Sequence, residues 1–127
     1  MAKYDENGFI TELEINEIFV FGSNGRGFHG GGAAATAMEK FGAKWGQAEG
    51  LQGQSYAINT MDGEEELSIQ IDRFLNFAEN HPELTFLLTE IGCGIAGFSP
   101  KQVAPKFVKH PKNVILPNSF KDILGIK

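Results

Sequence analysis

Glu17-Ile-Phe-Val-Phe-Gly22-Ser-Asn-Gly-Arg-Gly-Phe-His-Gly-Gly-Gly32 is the stretch on which the architecture turns. Its first six residues are a nearly unbroken apolar run closed by glycine, the pattern of a strand buried on both faces. Strands of that kind belong to sheets sandwiched between helices. The segment that follows from Gly30 to Phe41, GGGAAATAMEKF, forms helix once past its glycines, with Ala34, Ala37, Met38 and Phe41 on one side and Gly42 at the C-cap.

The same alternation runs on to the end of the chain. Residues 42–53 hold four further glycines and read as a loop, and Gln54-Ser-Tyr-Ala-Ile-Asn59 reads as a second strand. Leu67, Ile71, Phe74, Leu75 and Ala78 then recur at the offsets of an amphipathic helix, led by Glu64, Glu65 and Glu66 at its positive end and followed by Pro82. Leu84–Thr89 is a third strand, Ser99-Pro100 opens a third helix, Asn113–Leu116 is a fourth strand, and Ser119–Leu124 is a terminal helical turn or two. Ser99 with Gln102, and Ser119 with Asp122, have capping-box spacing. Pro105 predicts that the third helix is short or kinked. Phe9–Ile15 reads as an edge strand.

Strands alternating with helices imply a three-layer α/β domain, a mostly parallel central sheet flanked by helices with right-handed crossovers. A length of 127 residues fits a single domain spanning 1–127, large enough to bury roughly two-thirds of the unfolded chain's surface without disulfides or metal. The apolar share of 42% and charged share of 21% are those of a folded globular chain, which excludes disorder and collagen-like repeats.

Charge and cysteine usage narrow the function classes. Net charge is -5, with the acidic excess in residues 1–99 and six of the 11 Lys and Arg residues after residue 99. An acidic chain with a short, interspersed basic tail does not fit a nucleic-acid backbone. One cysteine, Cys93, and three scattered histidines give no zinc-ligand spacing, so neither metal nor cofactor is expected. The start of the chain lacks an apolar signal core, and no stretch approaches the roughly 18 apolar residues of a membrane span. The expectation is a cytoplasmic protein with no membrane partner.

Chemistry is expected where the two glycine-rich loops follow strands, because ligands of open α/β sheets bind outside the carboxyl ends of the strands. The first loop, Gly22–Gly32, has six glycines in eleven residues, which free several N–H groups to converge on an anion beside a helix N-terminus. The plainer alternative is a turn that serves only tight helix–sheet packing. The second loop, Glu90-Ile-Gly-Cys-Gly-Ile-Ala-Gly-Phe-Ser-Pro100, adds three glycines and an aromatic, Phe98, able to stack on a ligand ring or to join the core. Cys93 reads as a small side chain under a ligand rather than a nucleophile. Gly25-x-Gly27-x-x-Gly30 formally matches a dinucleotide fingerprint, but the acid required some 20 residues later falls in a loop near Glu49, which excludes a nicotinamide dehydrogenase.

Taken together, Phe19-Val-Phe-Gly-Ser-Asn24 with Gly30-Gly-Gly-Ala-Ala-Ala-Thr-Ala37, and Leu87-Leu-Thr-Glu-Ile-Gly-Cys-Gly-Ile-Ala-Gly-Phe98, resemble the ADP-ribose-binding macro domain family. The wider string also looks like a compact macro-like subgroup of bacterial and phage proteins of unassigned activity. The resemblance covers residues 18–107. It implies that Gly22, Ser23 and Asn24 lie at the ligand, with Asn24 bonding the distal ribose and Gly30, Gly31 and Gly32 lining it. It further implies that Gly92, Cys93, Gly94, Ile95, Ala96 and Gly97 hold the phosphates, with Phe98 beside the ribose or base. Where the family has Gly-Asp-Ile-Thr, its Asp recognising adenine, this chain has Gly8-Phe9-Ile10-Thr11.

Three functions follow as expectations. The first is binding of ADP-ribose or a related nucleotide diphosphate-sugar, free or on an ADP-ribosylated protein, with or without weak ADP-ribosyl hydrolase activity. For hydrolysis Asn24 would orient water, His29 would act as acid or base, and Glu90 would supply a carboxylate. On the plainer reading these are a turn residue, an exposed loop histidine and an exposed or helix-capping carboxylate. The second is a Rossmann-like nucleoside monophosphate glycosidase, which Val20-Phe-Gly-Ser23 also resembles. The third is a non-catalytic protein-interaction module anchored by Phe28.

Overall fold

A computed structural model describes residues 2–126. The chain is mixed α/β, built on a five-stranded, mostly parallel sheet. Two short strands, β1 (Lys3–Tyr4) and β2 (Ile10–Glu12), precede β3 (Glu17–Ser23), α1 (Gly32–Lys40), β4 (Gly50–Gln52) and β5 (Ser55–Asn59). Then come α2 (Glu64–Glu79), β6 (Thr85–Leu88), α3 (Pro100–Val103) with a 3-10 turn at Ala104–Phe107, β7 (Val114–Ile115) and α4 (Asn118–Leu124).

The sheet order is β4-β5-β3-β6-β7, with β3 parallel to both β5 and β6, β6 parallel to β7, and β4 antiparallel at one edge. β3 is therefore central, as its two-faced apolar run requires. Ile18 and Val20 face one side with Tyr56, Ile58, Phe86, Leu88 and Val114, against α2, α3 and α4. Phe19 and Phe21 face the other with Ala57 and Leu87, against α1 and the β1–β2 hairpin through Ala34, Ala37, Phe41 and Ile10. Helices on both sides of one sheet follow from that alternation.

α2 carries the expected stripe: Leu67, Ile71, Phe74 and Ala78 are fully buried. Each of the larger three adds roughly 1.5–3 kcal/mol of transfer free energy. Gln70 is buried among them and donates its amide to Glu49 and Glu66. Asn113 ties the far end of α2 to β6 by donating to the carbonyls of Ala78, His81 and Leu84 at 2.9, 3.1 and 3.0 Å.

Several expectations are corrected. The segment 42–53 contains a strand, β4, whose pairing with β5 places Leu51 opposite Tyr56. Phe9–Ile15 is not an edge strand of the main sheet; only Ile10–Glu12 is extended, and it pairs with Lys3–Tyr4 in a separate hairpin. α1 begins at Gly32 with Gly31 as its N-cap, and its C-cap is Phe41 rather than Gly42. The Ser99–Gln102 capping box forms in both directions, and the helix converts to a 3-10 turn at Ala104, where Pro105 removes a donor. The Ser119–Asp122 box does not form: Pro117 is the N-cap of α4, and the Ser119 hydroxyl is used elsewhere.

Candidate functional site

A switch in connection direction lies at β3 and β6. The chain leaves β3 for β5 on one side of it and leaves β6 for β7 on the other, so the loops after these two neighbours splay apart and leave a crevice at their carboxyl ends. A cleft of about 580 Å³ occupies that position, within the roughly 300–1,000 Å³ of small-molecule sites. It is lined by Gly22, Ser23, Asn24, Phe28 and Gly30–Gly32 from the first loop, and by Glu90, Ile91, Gly92, Gly94, Ile95 and Ala96 from the second. The turn after β5 adds Thr60 and Met61.

The floor is pinned by side chains that reach across the sheet. Thr89 donates its hydroxyl to the Val20 carbonyl at 2.7 Å, and Thr60 donates to the Ser23 carbonyl at 3.1 Å. Gly22 lies between them, and a Cβ placed there would stand 3.3 Å from Thr60 Cγ2. The sequence-based site missed Phe28, Ala33, Ala34, Thr60, Met61, Thr89 and Ile91. Thr60, Met61 and Thr89 lie directly past strand ends or one residue on, so the rule for open sheets was the signal available for them.

Both loops lining the cleft carry backbone donors without an acceptor among the described residues. Gly31 caps α1 with no side-chain partner, and the first intrahelical bond is Ala35 N–H to the Gly31 carbonyl at 3.2 Å. Among the described residues, the N–H groups of Gly32, Ala33 and Ala34 are therefore without an acceptor at the positive end of the helix dipole. In the second loop Gly97 N–H donates to Gly94 and Phe98 N–H to Gly92, closing a turn. Among the described residues, the N–H groups of Gly94, Ile95 and Ala96 in that turn have no acceptor.

Apart from Gly22, where Thr60 crowds any Cβ, the glycines of the cleft fall into two groups. Gly32 and Gly92 take left-handed φ angles of +58° and +75°, which favour glycine. Gly30, Gly31 and Gly94 do not have positive φ, and a Cβ at any of them would meet nothing within 4 Å. Neither backbone conformation nor packing within the chain calls for glycine at these three places.

Asn24 lines the cleft, but its side-chain amide is committed to its own loop. Oδ1 accepts from the N–H groups of Arg26 and Phe28 at 3.1 and 3.0 Å, and Nδ2 donates to the Phe28 carbonyl at 2.9 Å. His29 departs from its expected exposure: it is 2% exposed and is not among the lining residues. Its ring stands edge-on to Phe21, Nδ1 lies 3.4 Å from Ser23 Oγ, and Nε2 has no partner among the described residues.

Glu90 is exposed at the rim and accepts a hydrogen bond from Ser119 Oγ at 2.5 Å. It is the one ionisable side chain among the lining residues. Cys93 and Phe98 turn the other way and pack partly buried against the core on the α2 side; with Gly97 they do not line the cleft. The Phe98 ring lies beneath Gly92, where a Cβ would come within 3.2 Å of Cδ2. Burial, with a smaller push from the Glu90 carboxylate, raises the Cys93 thiol above its ordinary range, which suits an inert thiol.

Beside the cleft, Phe28 stacks on Trp45 with ring centroids 5.0 Å apart and planes 13° off parallel, and the Arg26 guanidinium sits 6.0 Å over the Phe28 ring. Among the described residues, no group of His, Cys, Asp and Glu side chains is arranged to hold a metal ion, and no helix is long and apolar enough to cross a membrane. No protein-family model, curated protein or solved structure matches the chain.

Proposed function

We propose that the cleft binds ADP-ribose or a related nucleotide diphosphate-sugar, with the diphosphate between the free N–H groups of Gly32–Ala34 and those of Gly94–Ala96. One observation carries the reading: Gly30, Gly31 and Gly94 line the cleft, yet nothing inside the chain requires them to be glycine. Their lack of a side chain is explained by an external group that must approach the backbone closely, as phosphate oxygens do. Sequence motifs of macro-domain type at both loops point to the same ligand, and the reading extends to ADP-ribosylated protein as the cellular partner, in a cytoplasmic setting, without nucleic acid.

Binding is favoured over turnover. Glycosidic hydrolysis in most enzymes uses two carboxyl groups flanking the scissile bond, and among the described residues lining the cleft Glu90 is the only carboxylate. The other acid/base candidate, His29, is buried behind the wall. Hydrolase activity, where present, would be weak and centred on Glu90.

Titration calorimetry with ADP-ribose, NAD and AMP tests the proposal. ADP-ribose is expected to bind with micromolar dissociation constant, on the order of -8 kcal/mol, well ahead of AMP. Equal millimolar responses to all three would overturn it.

A further inference from the structure

Phe28 and Trp45 are two large aromatic residues left 46% and 57% exposed at the edge of the cleft. Their arrangement is enforced. Asn24 grips both the N–H and the carbonyl of Phe28. Gly46 N–H donates to the Gly27 carbonyl at 2.8 Å, and Gly27 approaches so closely that a Cβ would lie 2.4 Å from the Gly46 carbonyl carbon. These bonds lock the 24–28 loop onto the 44–47 turn and bring the two rings face to face. Rigid, parallel, half-exposed rings are a preformed stacking surface, which loses little freedom when a flat ligand joins it.

We propose that the Phe28–Trp45 pair is the base-stacking platform for the nucleotide held in the cleft. The inference rests on the diphosphate reading above and adds where the base goes. Phe28 itself lines the cleft, so a planar group stacked there is continuous with whatever the glycine loops hold. Arg26, 6.0 Å over the same ring, adds attraction for a π-face or a neighbouring phosphate. The other candidate aromatic, Phe98, is turned under Gly92 and is not among the lining residues. Because the Asn24 amide is used within its loop, recognition at the platform is by stacking area rather than by reading the base edge, and such stacking accepts any base.

Trp45 is the only tryptophan in the chain, so its emission reports directly on the platform. The intact protein is titrated with ADP-ribose and with ribose 5-phosphate, which lacks a base, while fluorescence and calorimetric heat are followed in parallel. ADP-ribose is expected to quench Trp45 at the same concentration at which heat is released, ribose 5-phosphate to leave emission unchanged, and Phe28→Leu to narrow the affinity gap between the two ligands by at least fivefold. Heat from ADP-ribose with no change in emission, or equal quenching by ribose 5-phosphate, would overturn the platform and leave the diphosphate reading standing. No heat from either ligand would overturn both.

Discussion

Gly22, at the end of β3, and Gly92, in the loop after β6, are brought so close that a Cβ on the former would stand 3.5 Å from the amide nitrogen of the latter. Seventy positions apart in the chain, the two glycine loops are side by side at one end of the sheet. Gly22→Val is expected to cost about 1–3 kcal/mol, because the added methyl groups must push aside Thr60 or the second loop. Chemical denaturation measures it, and an unchanged midpoint would show that the loops are not packed against one another.

Gly30→Ala and Gly94→Ala carry the opposite expectation. With open space around each position, folding stability should stay level or rise by roughly 0.4–1 kcal/mol through the less flexible unfolded chain. ADP-ribose affinity should nevertheless fall at least about tenfold, some 1.4 kcal/mol. Gly94→Glu should abolish binding by placing like charge at the phosphates. Full affinity in all three variants would remove the observation on which the function rests.

Gly27→Ala should be far worse than either. Its φ of +69° and the Gly46 backbone 2.4 Å from a new Cβ leave no room for a side chain. A loss of at least about 2 kcal/mol is expected, together with a shift in Trp45 emission as the 44–47 turn detaches. Asn24→Ala should loosen the same loop at a cost of about 1–2 kcal/mol through its three lost hydrogen bonds.

Asn113→Ala tests the anchor far from the cleft. Removing the amide takes a donor from the carbonyls of Ala78, His81 and Leu84, of which Ala78 and His81 keep backbone donors, and a loss of about 1–2 kcal/mol follows, with ligand affinity preserved.

Cys93 gives a pH dependence with a defined sign. Its folded thiol is raised first by burial and then by Glu90, so the folded state prefers the protonated form. The associated stability is fully present below the ordinary thiol range of about 8.5 and is lost as pH rises through the higher folded value. Tyr56, raised by burial and then by Glu49, continues the same trend at more alkaline pH. Glu90→Gln lowers the Cys93 thiol, and iodoacetamide should then alkylate it faster at pH 8. An unchanged rate would separate the two side chains.

Local pattern made much of this molecule legible. The unbroken run at Ile18–Phe21 could be satisfied only by a central strand, the spacing from Leu67 to Ala78 only by a helix against that strand, and Ser99 with Gln102 by a cap that forms as read. The positions of the two glycine loops followed from the ends of those strands. β4 escaped because Gly50-Leu-Gln52 has no period of its own and is extended only by pairing with β5.

What tertiary structure alone decided was the direction each side chain takes at the site. Cys93 and Phe98 turned toward the core, His29 went beneath the wall beside Phe21, and the Ser119 hydroxyl bonded Glu90 instead of capping its own helix. Phe28 met Trp45, 17 positions later, through a bond between Gly27 and Gly46. Periodicity reports which residues share a face within one element. Which face of a loop meets which neighbour depends on segments distant in the chain, and only their packing sets it.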